Sequence, residues 1–79
     1  MSFNTAIIQR ILELCDKNNI TPNRLAELSA IPPTTMFNLI NGNVTNPSAK
    51  NIYKICKVFK ISLKDFYNTD LFNNMDFDD

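Results

Sequence analysis

The side chains best suited to specific hydrogen bonding lie in residues 31–42, which read IPPTTMFNLING. Thr34, Thr35 and Asn38 carry hydroxyl or amide groups that both donate and accept hydrogen bonds. Phe37 adds an aromatic ring among them. A helix of about two turns is marginal on its own, so other elements must hold it in place. The stretch therefore predicts a surface that recognises another molecule by contact.

Catalysis and metal binding are not indicated. The 79 residues include no histidine, one glycine and two cysteines, Cys15 and Cys56. A zinc site needs about four ligands at close spacing, and no nucleophile–base pair, carboxylate pair or glycine-rich phosphate loop is evident. We expect no enzyme, no metal and no cofactor, and we expect both thiols to be reduced core residues.

The net charge is zero, but the charges are distributed unevenly. All eight Lys and Arg residues lie at or before Lys64, where only Glu13, Asp16 and Glu27 oppose them. The other five acidic residues follow. The body is therefore basic and the C-terminal tail acidic, an asymmetry that the mean charge conceals.

A cytoplasmic location is the expectation from the remaining composition. No apolar run approaches the length of about 20 residues that spans a membrane, and the first ten residues lack the order of a signal peptide. We therefore expect no membrane partner.

Capping residues and hydrophobic spacing predict five helices and no strand, an all-α fold. The second helix has Thr21 as its cap and Pro22 at its first position. The third begins at Pro33, because a proline disfavours helical backbone for the residue before it. The expected helices are residues 5–17 (capped by Asn4 or Ser2), 22–29, 33–42, 48–59 and a short one around 63–66 (capped by Ser62).

The same spacing predicts the buried faces. Arg10 is expected on the solvent side of the first helix, and Lys54, Lys57 and Lys60 are expected to form a solvated face. The residues expected to face the core are Ile7, Ile8, Ile11, Leu12, Leu14 and Cys15; Leu25, Ala26 and Leu28; Met36, Leu39 and Ile40; and Ile52, Ile55, Cys56 and Phe59.

Two short helices joined by a turn around residues 30–32 have the layout of a helix-turn-helix. The motifs T-x-x-x-L-A, I-x-x-x-x-M, L-I-N-G, N-P-S and I-x-x-I-C-x-x-F-x-I-S-x-x-D-F follow in order through residues 21–66. In these motifs the chain resembles the phage repressor/Cro-type (Xre-like) helix-turn-helix regulators over about residues 5–67. The resemblance implies a five-helix, lambda-repressor-like domain with the helix-turn-helix at helices 2 and 3, which binds operator DNA as a dimer.

Four positions depart from the family pattern. Pro22 stands where the family often has Gln, and Ala30 stands where it favours Gly, so we expect a positive φ at Ala30 at a cost of about 1 kcal/mol. Cys15 and Ile40 replace an Arg–Glu pair common in the family. An apolar contact between them is the expected substitute, since such replacements are often neutral or stabilising.

The resemblance places base contacts on Pro33, Thr34 and Asn38, with Thr35 and Phe37 adjacent. Asn can pair with adenine through two hydrogen bonds, and Thr methyls and apolar rings suit the thymine methyl. The third helix has no Lys or Arg, so we expect a preference for A·T-rich sites. The alternative is a merely solvated helix face with Phe37 half buried.

The resemblance also places a phosphate contact on Asn41. Further expected phosphate contacts lie near the helix ends and in the loop that would flank the DNA backbone: Asn23, Arg24, Asn43, Thr45 and Lys50. For Arg24, pairing with Glu27 one turn later is an equally open alternative.

Residues 1–67 are expected to form the DNA-binding domain, and residues 68–79, NTDLFNNMDFDD, an acidic tail with apolar side chains. Leu71, Phe72, Met75 and Phe77 could pack on the domain, form a dimer interface or bind a protein partner. We expect a homodimer through Phe66, Tyr67, Leu71 and Phe72.

The expected function is a sequence-specific regulator of transcription that binds double-stranded operator DNA, most often a repressor in this family. The alternative is a protein-interaction module, antitoxin- or antirepressor-like, that uses the tail.

Overall fold

Five α-helices and one short 3₁₀ helix form the described part of the chain. The computed structural model describes residues 2–44 and 47–73, and no strand occurs in these two ranges. The predicted all-α, five-helix architecture is confirmed. The elements are α1 (Phe3–Lys17), α2 (Pro22–Ser29), α3 (Pro33–Ile40), α4 (Ala49–Phe59), α5 (Leu63–Tyr67) and the 3₁₀ helix (Asp70–Phe72).

Side-chain caps explain where four helices begin. The hydroxyl groups of Ser2, Thr21, Ser48 and Ser62 each accept a hydrogen bond of 3.0–3.1 Å from the amide three residues later. Each bond satisfies one of the amides that a helix start leaves without a partner. Because Ser2 is the cap, α1 begins at Phe3, two residues earlier than expected.

All five α-helices contribute side chains to one hydrophobic core. Cys15 belongs to it, and Ile40 packs against it, half buried, so both positions are apolar parts of one cluster. Met36 and Leu39 fix α3 to this core with exposures of 1% and 2%. The buried apolar residues of the core are Ile7, Ile11, Leu14, Cys15, Leu25, Ala26, Ile31, Met36, Leu39, Ile52, Ile55, Cys56 and Phe66.

Two leucines expected in the core lie on the surface instead. Leu12 is 40% exposed and Leu28 is 49% exposed. In α2 the buried position belongs to Ser29, whose hydroxyl donates a 2.6 Å hydrogen bond to the carbonyl of Leu25. A buried hydroxyl that is satisfied in this way carries little desolvation cost. Ile8 and Phe59, also expected inside, are half buried.

Arg10, expected in solvent, is buried. Its side chain extends to the end of α5, where Nε donates to the carbonyl of Phe66 at 2.8 Å and Nη2 donates to the carbonyl of Asp65 at 2.9 Å. Nη1 pairs with Glu13. The last carbonyls of a helix have no partner within the helix, so Arg10 serves as the C-terminal cap of α5.

The described part of the tail folds back on the domain. The 3₁₀ helix packs against α1, and the ring of Phe72 lies 5.0 Å from that of Tyr67 and 6.2 Å from that of Phe3. Phe66 is fully buried inside the chain, and the dimer interface expected at Phe66 stays a prediction. Leu71 and Phe72 are half buried. Met75 and Phe77 lie outside the described residues.

In residues 2–44 and 47–73, every helix is too short or too polar to cross a bilayer.

Candidate nucleic-acid interface

The turn between α2 and α3 sets the angle of the helix-turn-helix. Ala30 adopts the left-handed conformation, with φ 59° and ψ 32°, as expected from its position. The amide of Ile31 then donates to the carbonyl of Ala26 at 3.1 Å. Ile31 is 2% exposed and fills the space beneath the turn. The left-handed residue, the hydrogen bond back to Ala26 and the buried Ile31 side chain together end α2 and set the direction in which α3 begins.

Two consecutive prolines begin α3. Pro32 is the residue before the helix and Pro33 is its first residue, and no side chain caps the first turn. Neither proline has an N–H group. The first intrahelical bond is donated by Met36 to the carbonyl of Pro32 at 3.0 Å. The amides of Thr34 and Thr35 are therefore the donors that the positive end of α3 offers to a ligand.

The outward face of α3 carries the residues expected to contact bases. Pro33, Thr34 and Phe37 are exposed, and Thr35 and Asn38 are half buried. Phe37 is 62% exposed, so the alternative in which it is half buried is wrong. Residues three and four apart share a helix face, which brings Thr34, Phe37 and Asn38 together.

Hydrogen bonds from two asparagines fix the segment that follows α3 to the end of that helix. The side-chain amide of Asn41 donates to the carbonyl of Phe37 at 2.7 Å. The main-chain amide of Asn43 donates to the carbonyl of Asn38 at 2.9 Å, and the two side chains meet at 3.5 Å between Nδ2 of Asn43 and Oδ1 of Asn38. Gly42 takes a positive φ of 75° between them. The expected phosphate contacts Asn41 and Asn43 thus border the expected base contact Asn38.

The other expected phosphate contacts lie at the starts of α2 and α4. Asn23 and Arg24 are exposed in the first turn of α2, and Lys50 is exposed in the first turn of α4. Arg24 pairs with Glu27 at 3.1 Å, the alternative left open by the sequence. Both partners of this pair are more than half exposed, so it contributes little energy. Thr45 lies outside the described residues.

One residue that supports this surface was not expected from the sequence. The side-chain amide of Asn4 in α1 donates to the carbonyl of Val44 at 2.7 Å. This bond fixes the end of the loop that follows α3, forty residues further along the chain. No local signal in the sequence indicates such a contact, because it depends on how α1 lies relative to α3.

The two cysteines take no part in the surface. Cys15 and Cys56 are buried and free. Burial raises the pKa of both thiols, and the positive charge of Arg10 opposes that rise at Cys56. Buried, protonated thiols are weak nucleophiles and poor metal ligands.

Comparison with known proteins agrees with a helix-turn-helix architecture. The family model of the Cro/C1-type HTH DNA-binding domain matches residues 10–70, which contain the whole helix-turn-helix and most of the chain. No curated protein and no solved structure matches the chain significantly. The chain belongs to the Cro/C1-type helix-turn-helix DNA-binding domain family.

Proposed function

We propose that the protein is a sequence-specific transcriptional regulator that inserts α3 into the major groove of double-stranded operator DNA and acts as a repressor. The exposure of Phe37, 62%, is the observation that carries this proposal. The opposite face of α3 is buried through Met36 and Leu39. Phe37 is therefore exposed although α3 packs well against the core. An apolar ring between Thr34 and Asn38 suits the methyl group of thymine.

The chemistry of α3 favours A·T base pairs. Asn38 can accept from and donate to the edge of adenine, whereas guanine is usually read by Arg or Lys. Residues 33–40 contain neither cation. A preference for A·T-rich operators follows.

The flanking residues supply contacts to the DNA backbone in this proposal. Asn23, Arg24 and Lys50 stand at two helix starts, and Asn41 and Asn43 follow α3. Helix starts and asparagine side chains both bind phosphate oxygens. Thr45 is proposed as a further phosphate contact from the sequence.

Selection of bound duplexes from a random DNA pool tests the proposal. We expect an A·T-rich consensus, with affinity that falls as salt rises at a log–log slope of about −0.9 per phosphate contact. Binding of every duplex alike, or affinity independent of salt, would contradict it. A reporter gene placed behind the selected operator then distinguishes repression from activation.

A protein-interaction role on the same fold is the second candidate function. Leu28 and Tyr53 support it, because they are 49% and 52% exposed on the side of the molecule formed by α2 and α4. Failure to select any duplex, together with retained folding, would favour this candidate.

A further inference from the structure

A groove with both apolar and basic side chains in its lining runs between α2 and α4. Leu28 contributes from α2, and Val58 contributes from α4, in a groove of about 340 Å³. Tyr53 stands near it on α4, where its ring lies under the ammonium group of Lys57, 5.7 Å from Nζ to the ring centroid. Exposed apolar side chains that lie together mark interaction sites more often than single ones do.

The groove is also basic. Lys54 and Lys57 line it, and its described lining includes no acidic side chain. Lys54 is half buried and Lys57 is exposed. A ligand that matches this surface carries large apolar groups between carboxylates.

The end of the chain itself has this chemistry. Residues 74–79, NMDFDD, place Met75 and Phe77 between the carboxylates of Asp76, Asp78 and Asp79. We propose that the groove binds residues 74–79 of a second copy, so that two copies exchange their C-terminal segments in a symmetric dimer. Phe77 and Met75 then contact Leu28 and Val58, and the aspartates face the two lysines.

We take a second copy as the source of the segment because the charges of the groove and of the segment are complementary and because both are present in every copy. Exchange between two copies makes the same contact twice, and the second contact gains from the high effective concentration created by the first. Such a two-fold arrangement is the commonest form of soluble oligomer.

DNA is a less suitable occupant of this groove. Phosphates would pair with Lys54 and Lys57 but would gain nothing from Leu28 and Val58. The proposal needs no DNA, and self-association is measured without it, so its failure and the failure of the proposed regulator function are distinguishable.

Charge exchange in the full-length chain tests the proposal. One variant carries Lys54→Glu and Lys57→Glu, and the other carries Asp76→Lys, Asp78→Lys and Asp79→Lys. Each variant alone juxtaposes like charges, so we expect its self-association to weaken by about tenfold or more at low salt. An equal mixture pairs each altered surface with a complementary one, and we expect dimers to return. Sedimentation equilibrium measures all three samples, and circular dichroism checks folding.

The matched control reverses Lys17 and Lys64, which lie outside the groove, and should leave self-association near that of the natural chain. Mixed variants that stay monomeric would overturn the proposal, as would a natural chain that is monomeric throughout. Loss of DNA affinity in the Lys54→Glu/Lys57→Glu variant with unchanged self-association would also overturn it, and would assign the two lysines to phosphate binding.

Discussion

Arg10 and Phe66 join the two ends of the domain: Nε of Arg10 donates a 2.8 Å hydrogen bond to the main-chain carbonyl of Phe66. The guanidinium carbon also lies 5.9 Å from the centroid of the Phe66 ring. Since α5 has only five residues, its stability depends on such tertiary contacts more than on its own helical bonds. Arg10 therefore acts with the buried Phe66 ring to hold α5 against α1.

Replacing this cation should destabilise the domain. Arg10→Met keeps most of the side-chain volume but removes the Arg10 donor from the carbonyl of Phe66, while the carbonyl of Asp65 keeps only its bond from the amide of Asn68. A buried group left unsatisfied costs about 1–3 kcal/mol, so we expect the free energy of unfolding to fall by about 2 kcal/mol. Urea denaturation measures it. The control, Arg24→Met, breaks an exposed pair and should change stability by less than about 1 kcal/mol. Equal stability of the two variants would contradict this role.

Ala30→Gly should stabilise the protein. Ala30 has a φ of 59°, where a Cβ atom is strained and glycine is not. The strain exceeds the added entropy of the unfolded chain, so we expect a gain of about 0.5–1 kcal/mol in thermal or urea unfolding. Lys60→Gly, at a φ of 57°, is the matched variant and should gain similarly. Glycine in the interior of α4, at Lys54, should instead cost about 1 kcal/mol. A loss at Ala30 would show that the turn is not strained.

Stability should decline in alkaline solution because of the two thiols. Burial raises the pKa of Cys15 and of Cys56, so the unfolded chain loses these protons at lower pH than the folded chain does. Above about pH 8.5 the unfolded chain therefore binds fewer protons, and the free energy of unfolding falls as pH rises through the folded pKa values. Urea unfolding under reducing conditions from pH 7 to 10 measures the decline.

The thiol control is the double variant Cys15→Ala/Cys56→Ala. It should be less stable at pH 7 but should lose less stability between pH 8.5 and 10. The pKa of Tyr67 is also raised by burial and acts in the same direction at higher pH. Parallel stability curves for the natural chain and the double variant would assign the alkaline decline to other groups.

Helix positions were predictable because their causes are local. The cap at Thr21 and the ring of Pro33 act within one turn, and both helices begin where expected. Burial was less predictable, since it depends on which element lies above each face. The helical spacing predicts Leu28 as a core residue, but no described element covers it. The same spacing predicts Arg10 in solvent, but the end of α5 covers it.

The candidate site divides in the same way. The family resemblance identified Thr34 and Phe37 as surface residues of the recognition helix, and both are exposed. The bond from Asn4 to Val44 links residues forty apart, so no spacing rule could indicate it. Hydrogen-bond partners of exposed side chains, such as Glu27 for Arg24, were predictable only as one of two alternatives, because solvent competes for both groups.

With α3 in the major groove as proposed, Asn38→Ala should relax sequence preference. Losing a bidentate base contact costs about 1–3 kcal/mol at one base pair of the operator. The helix should stay folded, because Met36 and Leu39 still hold it to the core. Affinities for the selected operator and for a scrambled duplex measure the effect, and circular dichroism verifies folding. An equal loss on both duplexes would mean that Asn38 does not read a base.

Lys50→Ala should weaken binding without changing preference. Lys50 is exposed in the first turn of α4, and a contact to phosphate carries no direct sequence information. We therefore expect a similar loss on the operator and on the scrambled duplex, and a salt slope smaller in magnitude by about one. Titrations at two or more salt concentrations measure both quantities. Lys64→Ala, in α5, removes the same charge away from the proposed interface and should leave the slope nearly unchanged. If Lys50→Ala and Lys64→Ala alter the slope alike, only the net charge of the domain matters, and the start of α4 does not touch the DNA backbone.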